Sequence, residues 1–454
     1  MKRFTTGSVC FLLMISITMP AFASRYSLTS LNLDLTQEEN SPILKKTKRP
    51  EETGFSSEKL KKVDQLIKND IKDGFPGAAI VIIKDGKIVK SDQYGYKKKY
   101  EGTELLKHPA KMKKDTLFDL ASNTKMYATN FALQRLVSEG KLDLYEKIQH
   151  YLPEFKDNED DPIKGKNDLK IIDILHHSAG FPASIHFHNP ESAGEFYSQD
   201  REKTLSLLPK IPLIYEPGTE HIYSDIDYML LGLIVETITG KPMDEYLEHE
   251  FYQPLGLKNT MFNPLQKGFE AKDFAATELI GNTREGMFYF PNVREYTLQG
   301  EVHDEKAFYS MDGVSGHAGL FSTTEDLAVL LQTMLNGGGY GKTKLFDQET
   351  IDQFVQPSET DSTYGLGWRR NGSSSMEWMF GPYASEHAYG HTGWTGTVTI
   401  IDPEFDLGIV LLTNKKHSRI INPLENPNFF EGDEFPTGQY GEVVSAVYEA
   451  LERR

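Results

Sequence analysis

The N-terminal part of the chain carries two hydrophobic patterns that predict different secondary structures. Apolar side chains first recur every three or four positions, at Leu60, Val63, Leu66, Ile67 and Ile71. This spacing places them on one face of a helix, which Gly74 and Pro76 bring to an end. A continuous apolar run at 78–83 then predicts a strand, and the Asp85-Gly86 turn predicts a return strand over 87–93.

The C-terminal part repeats this combination in the opposite order. Residues 397–401 and 408–412 are apolar and flank a turn that contains Pro403, so they predict a second hairpin. A last helix is predicted at about 441–452. Each end of the folded region therefore contributes one helix and one hairpin.

The middle of the chain is mostly helical in pattern and is interrupted by long polar loops such as 156–168 and 264–300. Loops of this length are surface segments or walls of an active site. The predicted fold class is α+β: the two hairpins join in one antiparallel sheet flanked by the N- and C-terminal helices, with an inserted mainly helical region at about 121–350.

The first 53 residues show no pattern of a folded domain. Lys2 and Arg3 precede an apolar run at 9–19 and a small-residue pattern that ends at Ala23. This arrangement predicts a signal peptide over 1–23, and an uncleaved segment would act as an anchor in the inner membrane. Residues 24–53 are polar and predict a spacer, so the folded domain is expected over 54–454.

The composition indicates where the protein is located and which classes of partner it does not bind. Cys10 is the only cysteine, so the chain without its first 23 residues has no disulfide, cysteine metal site or catalytic thiol. This suits an exported protein, and the predicted location is the periplasm. The formal charge of −17 becomes −19 without Lys2 and Arg3. Such a charge argues against nucleic acid or an anionic membrane surface as the main partner.

Three serines stand three residues before a lysine, and their contexts separate them. Ser56 begins a charged helix, where a serine is usually an N-cap, and Ser138 is separated from its lysine by Gly140. Ser122 instead follows an apolar segment and precedes a helix-compatible stretch at 123–137. Its place at a helix N-terminus favours an anion, and Lys125 shares its face.

A lysine beside a serine hydroxyl lowers the cost of forming the alkoxide and can relay its proton. Another N-cap with a surface lysine is an equally good reading of this segment alone. Two further segments favour the catalytic reading. Tyr223 stands just before an apolar helical pattern at 228–238 and is either a proton shuttle or a core tyrosine. Residues 389–396 are rich in small side chains, which suit close approach of a substrate or simply form a turn.

Taken in order, the three segments resemble the serine β-lactamase and penicillin-binding protein superfamily. Its signatures are Ser-x-x-Lys, Tyr-x-Asn and Lys/His-Thr-Gly. The resemblance covers about 54–450 and lies on the class C side, and further segments carry it: 174–180, 215–218, 254–257 and 316–322. Residues 120–130 and 300–307 are most similar to the penicillin-binding protein 4B group of assigned D-alanyl-D-alanine carboxypeptidases.

The resemblance implies a role for each matching residue. Ser122 is the acylated nucleophile, and Lys125 and Tyr223 handle its proton. The N–H groups of Ser122 and Trp394 form the oxyanion hole, in the segment His391-Thr392-Gly393-Trp394. His391 and Thr392 face the substrate carboxylate.

Two positions depart from the common pattern. Asp225 stands where Asn is usual, and His391 stands where Lys is usual. An aspartate near Lys125 favours the charged ammonium, so Lys125 is expected to stay protonated and Tyr223 to be the working base. Asp225 is also expected to repel a substrate carboxylate, which a neutral His391 attracts less than a lysine does.

The sequence predicts no cofactor and no metal, because the pairs His176-His177 and His186/His188 match no zinc spacing. The implied partners are peptidoglycan peptides and β-lactams. The leading prediction is a D-alanyl-D-alanine carboxypeptidase. An esterase or amide hydrolase of the same fold stays open, as does a low-turnover module that binds penicillin or cell wall.

Overall fold

The computed structural model describes residues 40–452. Fifteen strands lie in this part of the chain, several of them of only two residues. They are β1 Lys45–Lys46, β2 Gly77–Lys84, β3 Lys87–Glu101, β4 Glu104–Lys111, β5 Phe118–Asp119, β6 Met261–Phe262, β7 Ala276–Glu278, β8 Leu298–Gln299, β9 Leu320–Ser322, β10 Gly339–Tyr340, β11 Thr343–Lys344, β12 Arg369–Arg370, β13 Tyr389–Gly393, β14 Thr397–Asp402 and β15 Leu407–Thr413.

Thirteen α-helices lie in the same part. They are α1 Ser57–Asp73, α2 Phe131–Ser138, α3 Ile148–Tyr151, α4 Ile171–Leu175, α5 Pro190–Ala193, α6 Arg201–Leu207, α7 Asp225–Thr239, α8 Met243–Leu247, α9 Thr324–Leu335, α10 Gln348–Val355, α11 Glu377–Phe380, α12 Pro436–Gln439 and α13 Gly441–Glu449. None of the helices within 40–452 is both long and apolar enough to cross a membrane.

The predicted α+β class is confirmed. The two hairpins, β2–β3 and β14–β15, join through antiparallel pairing of β15 with β2. The large sheet has the order β1-β3-β2-β15-β14-β13-β12, and β4 extends from β3. Apart from the short parallel pair β1–β3, its strands run antiparallel.

Both faces of the central strands are buried, which explains why β2 is apolar without interruption. Ala78, Ile80 and Ile82 face the terminal helices α1 and α13. The alternate residues, Ala79, Val81 and Ile83, belong to a larger core shared with the inserted helical region. Because successive side chains of a strand point to opposite faces, this one sheet contributes to two separate cores.

The folded region begins earlier than the predicted start near Gly54. Lys45 and Lys46 pair with Lys87 and Ile88, because backbone pairing does not need apolar side chains. A 3₁₀-helix over Pro50–Thr53 then leads into α1. The predicted signal peptide or anchor at 1–23, and most of the predicted spacer, lie outside the described residues.

Candidate active site

A strained turn presents Ser122. Ala121, just before it, has a left-handed backbone with φ of 45°, which costs a non-glycine residue free energy. The carboxylate of Asp119 accepts the N–H of Ala121 at 2.8 Å and that of His303 at 2.6 Å. Asp119 is buried, so the turn is held by a carboxylate inside the protein.

The stretch after Ser122 is helical but does not form the single α-helix that its composition predicts. A 3₁₀ turn at Ala121–Asn123 leads to a π-helical segment at Lys125–Asn130, and α2 begins only at Phe131. π-helical segments occur frequently at functional sites. The prediction that Lys125 shares the face of Ser122 is nevertheless confirmed, since Lys125 Nζ lies 3.0 Å from Ser122 Oγ.

The ammonium group of Lys125 is fully buried and has three oxygen partners. Besides Ser122 Oγ it donates to Oδ1 of Asp225 at 2.8 Å and to the carbonyl of His317 at 3.2 Å. Burial alone would lower the pKa of Lys125, but Asp225 and Tyr223 together outweigh burial and raise it. The environment therefore favours the charged form, in agreement with the expectation from sequence.

Tyr223 and Asp225 are positioned by the start of α7. The side chain of Ser224 caps this helix by accepting the N–H of Ile226 at 3.1 Å. Tyr223 precedes the cap, and its ring centroid lies 4.8 Å from Lys125 Nζ. Its hydroxyl oxygen is buried and has no hydrogen-bond partner among residues 40–452.

A second lysine, which the sequence analysis did not single out, lies behind Asp225. Lys306 Nζ is 3.3 Å from Asp225 Oδ2 and 3.0 Å from Asp304 Oδ2. Asp304 also contacts His317 Nε2 at 2.9 Å. Burial raises the pKa of Asp225, but Lys125 and Lys306 outweigh it and hold that pKa well below its usual range. Positive and negative groups thus alternate from Ser122 inward.

Three of these groups, Asp225, Asp304 and His317, lie close enough together to share a cation. The ammonium group of Lys306 contacts both carboxylates and supplies a positive charge at that place. The only sequence signal for Lys306 was its position in the segment 300–307, which resembles the penicillin-binding protein 4B group.

Strand β13 carries the predicted substrate-binding segment. His391 is buried, and its Nδ1 lies 2.7 Å from the carbonyl of Thr392. Because a carbonyl only accepts, Nδ1 carries the proton and Nε2 is an acceptor. Burial, together with the charges of Arg369 and Lys125, lowers the pKa of His391 well below its ordinary value. The imidazole is therefore neutral.

The glycines of this segment serve the protein's own packing. A Cβ on Gly393 would lie 2.2 Å from the carbonyl oxygen of Leu120, and one on Gly390 would lie 1.9 Å from that of Thr399. At these two positions the chain's own backbone occupies the space that a side chain would need, so packing requires glycine here whether or not a substrate approaches the strand. Gly393 places β13 directly against the nucleophile turn.

Arg369 is a further residue that sequence reasoning missed, and no motif marked it. It lies on β12, opposite Gly390. Its guanidinium carbon is 5.5 Å from the ring centroid of Tyr223 and 5.1 Å from that of Tyr364. Its Nε is buried without a hydrogen-bond partner in the described part of the chain. This cation can bind an anionic group beside Tyr223.

A cavity of about 500 Å³ begins at Ser122. Ser122, Tyr223, Asp225 and Trp394 line it together, so the structure brings these four predicted residues to one site. The remaining lining comes mainly from two loops, at 186–192 and 282–290, and from residues 303–306. Of the two predictions for the loop 264–300, a surface segment or a wall of the site, the structure favours the wall, because part of this loop lines the cavity beside Ser122.

The alternatives considered for other residues are resolved by their contacts. Ser56 caps α1 by accepting the N–H of Lys59, as predicted. Thr323 caps α9, because its side chain accepts the N–H of Asp326. His177 lies 2.7 Å from a carboxylate oxygen of Asp227, inside the core.

Comparison with known proteins agrees with this geometry. The sequence model of the family described as beta-lactamase matches residues 63–424. A Bacillus subtilis protein named "N-acetylmuramyl-L-alanine amidase" is 67% identical over 398 residues, which cover 88% of this chain and 90% of the relative. An Escherichia coli protein named "Putative D-alanyl-D-alanine carboxypeptidase" is 55% identical over 413 residues, which cover 91% and 95%.

Among solved structures, a penicillin-binding protein homologue from Caulobacter crescentus superposes with a TM-score of 0.61. The match covers 88% of this chain and 99% of that chain at 21% sequence identity. At this identity the similarity concerns the fold.

Proposed function

This chain belongs to the beta-lactamase family, and on that premise we propose that it hydrolyses an amide bond of peptidoglycan fragments through an acyl-enzyme on Ser122. Within that proposal, the favoured bond joins the N-acetylmuramyl group to L-alanine. The observation that carries the mechanism is the buried ammonium group of Lys125, held 3.0 Å from Ser122 Oγ and 2.8 Å from Asp225.

In this mechanism Ser122 Oγ attacks the amide carbonyl carbon, and its proton passes through the Tyr223 hydroxyl to the leaving nitrogen. The C–N bond breaks, and an ester on Ser122 forms. Water then attacks the ester, loses a proton through Tyr223 and restores Ser122. Lys125 stays an ammonium throughout and stabilises the developing negative charge at Oγ. The N–H groups of Ser122 and Trp394 are the proposed oxyanion hole.

The electrostatics around the nucleophile support a substrate without a free carboxylate next to the scissile bond. A D-alanyl-D-alanine peptide has such a carboxylate, and the resemblance assigns it to His391. This imidazole is neutral and presents an acceptor nitrogen. The amide of a muramyl peptide has no carboxylate at that place when the peptide continues beyond L-alanine. The name of the Bacillus subtilis relative supports the same choice.

The predicted D-alanyl-D-alanine carboxypeptidase activity is the second candidate. Arg369 supports it, because this guanidinium next to Tyr223 supplies the cation that His391 does not. The Escherichia coli relative supports it by name.

Export to the periplasm, predicted from residues 1–23, is part of the proposal. Fractionation of cells and sequencing of the mature N-terminus test it.

A direct comparison of two substrates tests the proposal. The purified protein is incubated with N-acetylmuramyl-L-alanyl-D-isoglutamine and with a peptide ending in D-alanyl-D-alanine, and released amine is quantified. We expect turnover of the muramyl amide, and its complete loss in Ser122→Ala. Turnover of the D-alanine peptide alone would select the second candidate. If a fluorescent penicillin labels Ser122→Ala as well as the wild type, the nucleophile is wrongly assigned.

A further inference from the structure

The cavity beside Ser122 extends beyond the groups that the mechanism uses. Its far part lies between the loops 186–192 and 282–290, and it includes His188, Phe288 and Phe290. Its volume of about 500 Å³ is in the range of small-molecule sites.

His188 is a buried polar residue in this far part, and one of its ring nitrogens has no partner. Its side chain is 3% exposed, and its Nδ1 has no hydrogen-bond partner within residues 40–452. Burial lowers the pKa of His188 to about 4, so the ring is neutral at physiological pH. A buried polar atom without a partner costs free energy, and a ligand in the cavity that bonds this atom would remove that cost.

Aromatic rings surround His188. The ring centroid of Phe290 lies 4.5 Å from that of His188, and the centroid of Tyr309 lies 5.7 Å away. Phe288, at the same wall, is 42% exposed. The wall therefore combines flat apolar faces with a neutral hydrogen-bonding nitrogen, and exposed apolar side chains at a cleft mark a binding surface.

The charged groups at the base of the cavity are bound to one another in ion pairs. Arg284 forms ion pairs with Glu278 and Glu305, and Lys306 pairs with Asp304 and Asp225. Each positive charge that lines the cavity base is thus matched by carboxylates. The cavity suits a neutral group with hydroxyls or an amide and an apolar face, and it is poorly suited to a charged peptide side chain.

We propose that the far part of the cavity is a subsite for the pyranose ring of an N-acetylmuramyl group, and that His188 hydrogen-bonds a hydroxyl or the acetamido group of that sugar. The inference rests on the proposed function, since it places the acyl half of the muramyl amide. Phe290 packs against the apolar face of the ring, and His188 acts in specificity without touching the scissile bond.

Calorimetric titration with N-acetylmuramic acid tests the subsite without requiring turnover. We expect binding to the wild type and a Kd at least 10-fold higher for His188→Phe, which keeps the ring and removes the nitrogen. His188→Asn, which returns a polar atom near the place of Nδ1, is expected to lie between the two. Tyr289→Ala is the control, because Tyr289 lies next to Phe290 on the loop 282–290 and is 65% exposed. The Kd of this variant should equal that of the wild type.

D-lactate, which lacks the sugar, is expected not to bind. The subsite is refuted if the wild type does not bind N-acetylmuramic acid, if D-lactate binds equally well, or if a folded His188→Phe keeps the wild-type Kd. If His188→Phe does not fold, the same Kd for His188→Asn and wild type refutes it. Failure of the proposed function is distinguishable: His188-dependent binding of the sugar without muramyl amide cleavage would reject that function and retain the subsite.

Discussion

The ammonium group of Lys306 lies 3.3 Å from Oδ2 of Asp225, the oxygen that Lys125 leaves free. Asp225 is therefore a bridge between two lysines, and its negative charge is largely compensated. Asp225 should therefore repel a substrate carboxylate less strongly than the sequence alone suggests. In the structure, Asp225 contacts Lys125 at 2.8 Å and favours the charged form of that lysine beside Ser122.

Replacing Lys306 by methionine should reduce activity and change its pH dependence. Lys306 helps to hold the pKa of Asp225 low, so the variant should need a higher pH to ionise Asp225. The acid limb of the kcat/KM profile should move to higher pH, and kcat/KM at pH 7 should fall roughly 10-fold or more. Breaking a buried ion pair should also cost about 3 kcal/mol of unfolding free energy, measurable by denaturant titration.

The loss of unfolding free energy in Lys306→Met should depend on pH. An aspartate with a depressed folded-state pKa stabilises the fold above its unfolded pKa, and this contribution disappears as pH falls through the folded pKa. The stability difference between wild type and Lys306→Met should therefore shrink in acid. Lys272→Met, at an exposed lysine paired only with Glu270, is the control. An unmoved acid limb in Lys306→Met would contradict the link to Asp225.

Asp225→Asn tests the protonation state of Lys125. Without the carboxylate, burial dominates and the pKa of Lys125 falls. If the ammonium form is required, the alkaline limb of the kcat/KM profile should move to lower pH by at least about one unit. Activity that instead rises with pH in this variant would show that neutral Lys125 is the base.

Arg369→Gln should separate the two candidate substrates. If Arg369 binds the carboxylate of a D-alanyl-D-alanine peptide, the ratio of kcat/KM for the muramyl amide to that for the peptide should rise about 10-fold, or about 1.4 kcal/mol. Steady-state kinetics on both substrates measure this ratio. A fall of both activities by the same factor would point to general damage, for example through the contact with Tyr223.

Local sequence patterns were sufficient for the two hairpins at the centre of the large sheet. The runs at 78–83 and 408–412 predicted strands that pair as Gly77–Lys84 with Leu407–Thr413, since a sheet buried on both faces needs continuous apolar segments. The parallel pair formed by Lys45 and Lys46 was missed, because its contribution is made by the backbone alone.

The candidate site was predictable where motifs exist and hidden where only the fold brings residues together. Ser122 and Lys125 match the Ser-x-x-Lys motif and Tyr223 matches its companion motif. The structure brings them together, with Lys125 Nζ 3.0 Å from Ser122 Oγ and 4.8 Å from the ring centroid of Tyr223. Lys306 and Arg369 lie far from them in sequence. No periodicity indicates that a lysine at 306 will contact an aspartate at 225, because that depends on tertiary packing.

Asp119→Ala should weaken the nucleophile turn. It removes the acceptor of two N–H groups, those of Ala121 and His303. Leaving buried donors unpaired costs about 1–3 kcal/mol each, so the Tm should fall and acylation by a fluorescent penicillin should slow about 10-fold or more. Asp115→Ala, in the exposed turn before β5, is the control. Acylation at the wild-type rate in Asp119→Ala would show that the turn is held by other contacts.

The left-handed backbone of Ala121 and the π-helical segment after it have a consequence for heat inactivation. Conformations that the surrounding structure must enforce relax when that structure loosens, before the rest of the fold is lost. On slow heating, catalytic competence should therefore disappear several degrees below the cooperative unfolding transition, and cooling from that interval should restore it. In this temperature interval the protein would still be folded, but Ser122 would no longer be held in the conformation that the turn imposes.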